Sequence, residues 1–520
     1  MAHDLLNRSN EFVGLDQRIW TILETGGFGT DATGGLVPTA ADAVEHVTAK
    51  LELDIPREDA AHRSGRSKVT RLSGKKEGKI SFESYIVPTD PNMDDEPQLP
   101  DAHPMILSAF GAVDQTNPLE IVYSFARASS KSFRMLEEGT HFSRLAVGCV
   151  MDSLTFTLPG DGKAMMKMEG FCQDLFCSGE STLAQALTGS AVAASKVIQD
   201  LTYTADATGS NGNLISIAYT AGATAGAEVV TVTGNAVSVQ IETGVSTATQ
   251  VKAAVDASGP AAALVNVTIS GVGGNAQVTV AATFLTGGLG ANDFKVASGQ
   301  GPRFEAGSYI DIVDKDDGNT LKSTARLISA RGEGVNSDII TVSGAALAAA
   351  DTADIVIGHA PDYTATSSEN ALLGLKGTFT TANLGSIDCD LLSAELAIKN
   401  NYSPRNNGYG KDKICGFLSD KRREVSVKLE VLLTKENYEF YSSNKRFVAD
   451  DLTITLAPQE IPAPENEATG RTFTFHFPKV EFNVPQVEQP SDGFIRLALE
   501  GVALASDINN VNDECTLTIS

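Results

Sequence analysis

VSVKLEVLL (residues 425–433), DLTITLAP (451–458), TFTFHFPKVEFNV (472–484) and GFIRLALEGVAL (493–504) follow one another within the last hundred residues of the chain. Each alternates apolar and polar residues with the two-residue period of a sheet that buries one face. In the first run Val425, Val427, Leu429 and Val431 share one face, and Ser426, Lys428 and Glu430 share the other. The pattern predicts a large antiparallel sheet. In the third run the apolar positions are odd-numbered through Phe473, Phe475 and Phe477, then even-numbered through Val480, Phe482 and Val484. A one-residue shift would turn the buried face outward, so a β-bulge or corner is expected at Pro478 and Lys479.

At 520 residues the chain is long enough for two to four domains and a substantial core. Sixty-five acidic residues against forty basic ones give a formal charge of −25, which argues against tight binding to a phosphate backbone, because that requires clustered Lys and Arg. The sequence has no apolar run of about 18 residues and no basic segment leading into an apolar one, so synthesis and folding in the cytoplasm, away from any membrane, are expected. Six scattered cysteines (Cys149, Cys172, Cys177, Cys389, Cys415, Cys515) read as free, mostly buried thiols. Cys172 and Cys177 lack the second Cys or His pair that zinc needs.

The middle of the chain differs in composition. Between Leu201 and Gln300 there are seven charged residues and fourteen glycines. NLISIAYTAG, AEVVTVTG and NAVSVQIET read as strands, the last two joined at Gly234 and Asn235. STATQVKAAVDASG reads as a helix with Thr247 and Gln250 spaced as a capping box, Val251 and Val255 on one face and Gly259 as its stop. LVNVTIS and AQVTVAATFL return to strands. This predicts an inserted β-rich domain at 198–290, and a second small β-rich domain is expected at 301–361. There Asp314, Asp316, Asp317 and Asn319 suggest a calcium loop, but an EF-hand needs a carboxylate where Ala325 stands, so a solvated hairpin turn is expected.

Before the insertion, GKISFESYIVP, AVGCVMDSLTFTLP and KAMMKMEGFC read as strands. HPMILSAFG reads as a short helix lying on the sheet, with Pro104 in its first turn, Ile106, Leu107 and Phe110 on one side and Gly111 as its stop. CVMDSLTFTLPGDGKAMMKMEG and CDLLSAELAIKNNYSP, on either side of the insertion, share a Cys leading into an alternating strand.

KISFESYIVP with HPMILSAFG, then LAVGCVMDSLTFTLPGDGKAMMKMEG, LLSAELAIKNNYSPRNNGYGKDKICGFLSDKRREVSVKLEVLL and FTFHFPKVEFNVPQVEQPSDGFIRLALEGVAL, in this order, resemble the tail tube (major tail) proteins of long-tailed bacteriophages. The resemblance covers residues 1–190 and 365–520 and rests on the order of elements rather than on an invariant motif. The module near 200–290 is similar to an accessory module of phage structural proteins. The resemblance implies a mainly β fold, with curved antiparallel sheets forming a tail-tube sandwich or barrel body from 1–197 and 362–520. It also implies homo-oligomeric rings, usually hexamers, stacked into a tube through which DNA passes without tight binding. The partners it implies are tape measure, tail terminator and baseplate proteins, and the place is the virion tail, assembled in the host cytoplasm.

Two stretches are candidates for contact between subunits. ETGGFGTDATGG at 24–35 lacks the Lys and Ser or Thr of a phosphate loop and reads as part of an arm. NNYSPRNNGYGKDK at 400–413 is a polar hairpin tip carrying Tyr402 and Tyr409. No catalytic, cofactor or metal residue is expected. The seven histidines (His3, His46, His62, His103, His141, His359, His476) have no metal-ligand spacing, His476 reads as a polar-face strand residue, and Asp94 and Asp95 lie in a proline-rich turn. The rival reading is a cell-surface or tail-fibre adhesin of Ig-like modules that binds host glycans, in which modules would follow one another end to end.

Overall fold

The computed structural model describes residues 17–26, 28–29, 37–55, 57–59, 71–73, 75–87, 99–126, 131–139, 142–160, 162–317, 320–363, 372–381, 385–386, 391–405, 413–419, 421–434, 446–457, 472–488, 495–507 and 512–520. They are mainly β and separate into two compact units. One is built from Gln17–Glu137, Leu145–Leu175 and Pro361–Ser520, the other from Glu138–Arg144 and Phe176–Ala360.

The first unit is a curved antiparallel sheet in two limbs. Seven strands follow one another across the first limb: Thr48–Asp54, Glu77–Tyr85, Met165–Cys172, Ser143–Pro159, Leu391–Lys399, Glu424–Leu432 and Arg496–Leu504. The second limb runs Gly111–Asp114, Ile121–Phe125, Thr516–Ile519, Phe473–Phe482, Phe447–Ala457 and Leu373–Thr381. Phe473–Phe482 joins the limbs, since its first half pairs with Thr516–Ile519 and its second with Arg496–Leu504. A single core lies between the limbs, with the ring of Phe156 of the first tilted against that of Phe475 of the second, centroids 4.7 Å apart. The sheet thereby curls into a half-barrel.

Alternation along these strands has the expected sense. Val425, Val427, Leu429 and Val431 are buried, while Lys428 is exposed. The corner at Pro478 is also present, but it is not a bulge. The register with Phe447–Ala457 is constant on both sides, which places Pro478 opposite Asp451. Both strands change buried parity at that level, from Leu452 to Ala449 in one and from Phe477 to Val480 in the other. Asp451 makes the bend with φ 58°, and Pro478, with no N–H to give a ladder, lies where one neighbour strand hands over to the next.

The helix His103–Phe110 ends at Gly111 with φ 96°, as its sequence predicts. It is not one-sided: Pro104 through Phe110 are all buried, because the helix is enclosed within the body rather than resting on a surface. The two Cys-led segments are neighbours, with Ser153–Pro159 pairing antiparallel to Ser393–Lys399 although more than two hundred residues separate them in sequence.

The second unit holds two separate cores. The inserted module comprises the sheets Ala193–Ile198, Leu201–Thr208, Val265–Ile269 and Val229–Thr233, Ala236–Ile241, Ser216–Ala221, Val280–Phe284, with the helix Ala248–Ala257 packed through Val251 and Val255. The expected capping box is formed: Thr247 N donates to Gln250 Oε1 at 2.7 Å. Gly259 does not stop the helix in a left-handed turn. The chain turns at Ser258, and Gly259 opens a second short helix, Gly259–Ala262, with Pro260 in its first turn. The module's strands begin at Ala193 rather than 198, and Val192 and Leu289 exchange both backbone hydrogen bonds, at 2.8 and 3.1 Å, where the chain enters and leaves.

The other core belongs to six strands in the order Ser181–Thr182, Ile355–Gly358, Tyr309–Asp314, Thr320–Arg331, Ile339–Val342 and Asp293–Lys295. Two of these strands lie outside 301–361, so this domain draws on residues from both sides of the inserted module.

Candidate functional site

The histidines are dispersed. His103 Nδ1 lies 2.7 Å from the Tyr123 hydroxyl, and burial pushes its imidazole down to about 4. His359 Nδ1 donates to both carboxylate oxygens of buried Asp311, at 2.8 and 2.9 Å. His476 Nε2 is 2.6 Å from Asp451 Oδ1. Half-buried His46, near the Phe82 ring, is lowered by desolvation. His3, His62 and His141, with Asp94 and Asp95, lie outside the described residues. Among the described residues, no three His, Cys, Asp or Glu side chains are grouped as a metal site. No described helix is long and apolar enough to cross a membrane.

The acidic turn at 314–317 is closed by its own first residue. Asp314 Oδ1 accepts from the backbone N–H groups of Asp316 and Asp317, both at 3.0 Å, while its other oxygen pairs with Lys322 at 2.9 Å. The Lys322 hydrogen bond holds the Asp314 carboxyl below the usual range. Asn319 lies outside the described residues. Ala325 sits at φ 51° and donates its N–H to Asp311 rather than facing the turn.

Of the glycine-rich stretch 24–35, residues 24–26, 28 and 29 are described. Its base is fastened by Glu24, whose fully buried carboxylate accepts from Gly29 N at 2.8 Å, Gly148 N at 2.9 Å and Ser132 Oγ at 2.6 Å, with Arg134 Nε 3.5 Å away. Gly29 and Gly148 touch there at φ 65° and 62°, so neither position admits a side chain. Glu24 drew no attention in the sequence because, apart from nearby Gly29, its partners are more than a hundred residues away.

The 400–413 segment is likewise tied at its base. Tyr402 N donates to Asp152 Oδ1 at 2.6 Å, and Tyr402–Pro404 pairs with Phe417–Ser419. Lys413 reaches the buried Asp174 carboxylate at 2.5 Å. Tyr409 lies outside the described residues.

The polar face of the seven-strand limb carries paired charges. Lys50 pairs with Glu52, Lys167 with Glu169, Lys428 with Glu500 and Arg496 with Glu430, and the register alternates Glu395 and Glu500 on either side of Lys428. Among the described residues of this face, opposite charges thus adjoin along and across the strands. The other limb shows a different face, where Thr453, Thr455, Thr474, Thr516 and Thr518 line neighbouring strands around His476. Both faces are written in the polar half of the alternating runs, but register decides which charges meet.

No family model matches the chain, and a search of curated proteins finds no match.

Proposed function

We propose that the chain is a structural tail tube protein of a long-tailed phage, assembling into stacked rings whose lumen conducts DNA. The observation that carries this reading is the discontinuous body. Ser153–Pro159 and Ser393–Lys399 are adjacent strands of one sheet although Phe176–Ala360, the bulk of the second unit, intervenes in sequence. A string of adhesive modules would close each sheet within its own segment, whereas a wall-forming body that carries insertions requires this arrangement. The charge-paired face of the seven-strand limb supports the same reading. A phosphate backbone meets no cluster of cations whose counterions it could release, so DNA would slide past such a surface without adhering.

Negative-stain microscopy of the purified protein tests the proposal. Rings or tubes with a central channel are the expected result. Isolated particles or beads on a string at every concentration and salt would overturn it and favour the adhesin. Tubes that bind duplex DNA tightly at physiological salt would count against a passive conduit.

A further inference from the structure

The strands Ser143–Pro159 and Met165–Cys172 pair up to Val150 opposite Phe171, so the next step places Cys149 directly opposite Cys172. Residues directly opposite in an antiparallel ladder share a face, and both side chains enter the core between the limbs, 0% and 1% exposed.

The pair is also of the close kind. Antiparallel pairs alternate between wide and narrow separations, so Cys149 and Cys172 are of the same type as Met151 and Gly170, two residues along. Met151 N donates to Ser108 Oγ at 3.0 Å and its carbonyl accepts from Asn400 Nδ2 at 3.3 Å, so its backbone groups are engaged away from Gly170, as in a narrow, non-hydrogen-bonded pair. Narrow pairs have Cα atoms about 4.5 Å apart, within the span a disulfide bridges. On the other flank Cys172 faces Gly78, where an added Cβ would meet Sγ at 2.0 Å. Glycine there leaves room in which the Cys172 side chain turns.

We propose that Cys149 and Cys172 are a dithiol poised to close into a cross-strand disulfide that staples the two strands inside the body. With a disulfide oxidant such as oxidised glutathione, a thiolate of the pair attacks the oxidant's S–S bond and releases one thiol. The second cysteine then displaces the other. One protein S–S bond forms, two S–H bonds are lost, and the two electrons and two protons leave on two molecules of reduced thiol. Burial raises the Cys149 thiol well above its ordinary range, and the neighbouring Cys172 raises it further. The exchange is therefore slow in the closed fold and proceeds through opening of the strand pair.

The test uses the full chain, with a double serine variant as its control. The protein is held with excess oxidised glutathione in dilute urea, quenched, denatured, alkylated and digested without reduction. The expected product is a cross-linked peptide pair joining Cys149 to Cys172, two hydrogens lighter than the sum, with the melting midpoint raised by several degrees. Cys149→Ser/Cys172→Ser should lose that oxidant-dependent rise. Recovery of both cysteines as alkylated thiols, as glutathione adducts, or bridged to Cys177, Cys415 or Cys515 would overturn the proposal.

Discussion

His476 Nε2 donates to Asp451 Oδ1 at 2.6 Å across the corner where both strands of the sheet exchange their buried and exposed sides. Asp451 holds φ 58° opposite Pro478, a conformation that costs an ordinary L-residue about 1–2 kcal/mol and that Asp, Asn and Gly tolerate best. The corner is therefore set by backbone as much as by the His–Asp contact.

Asp451→Gly is expected to remain within about 1 kcal/mol of the parent, while Asp451→Val should lose about 1–3 kcal/mol, because a β-branched residue is driven out of that conformation. Urea melts of the two variants check this. Equal losses would show that the carboxylate, not the backbone, makes the bend.

Leu429→Asp places an unpaired charge at a position 3% exposed and should cost several kcal/mol or abolish soluble protein. Lys428→Glu stays on the polar face. It brings a like charge between Glu395 and Glu500, so a loss of at most about 1 kcal/mol is expected. Thermal melts followed by circular dichroism distinguish the two.

Stability should depend on pH through His103. Burial holds its imidazole at about 4, against about 6.5 in an unfolded chain. Between those values the unfolded chain takes a proton that the native site refuses. Its contribution is thus complete above about pH 6.5 and is lost as pH falls towards 4. An imidazolium in the first turn of the His103–Phe110 helix would also oppose the helix dipole. Unfolding free energies measured from pH 7 to 4.5 should fall less steeply in His103→Asn than in the parent, and parallel slopes would exclude the role.

Excising 192–289 and joining Ala191 to Gly290 should leave soluble protein, because the Val192 and Leu289 hydrogen bonds mark a neck where the chain enters and leaves. Asn213 and Asn336, bonded at 3.0 Å across the two cores of that unit, lose each other in the deletion, so a modest fall in melting midpoint is expected. The excised piece, with its own core and capped helix, should fold alone. An unfolded fragment together with an insoluble remainder would contradict this.

What the sequence disclosed was whatever depends on near neighbours. The period-two runs from Val425 onward, the Gly111 stop and the Thr247–Gln250 box are local chemistry, and each appears where the residues place it. The parity change located the corner at Pro478, but its partner Asp451 emerges only from register. Pairing of Leu391–Lys399 with Ser143–Pro159, and the convergence of Ser132 and Gly148 on Glu24, depend on contacts that no spacing in the chain records. Gly259 misled because a glycine after a helix is read as a stop, whereas Pro260 behind it restarts the helix.

Ser181 pairs with Val356, so the second unit fastens its own two ends together. An order of events in folding is expected from this. Closing Ser153–Pro159 onto Ser393–Lys399 in an otherwise open chain means closing a very long loop, with the entropic cost and slow search that long-range pairing carries. Once the interrupting unit has folded, the search is reduced to two short tethers. The insertion is thus expected to act as a kinetic clasp for the body, and a mutation that weakens Ser181–Thr182 against Ile355–Gly358 should slow refolding, followed by stopped-flow fluorescence, of strands it never touches.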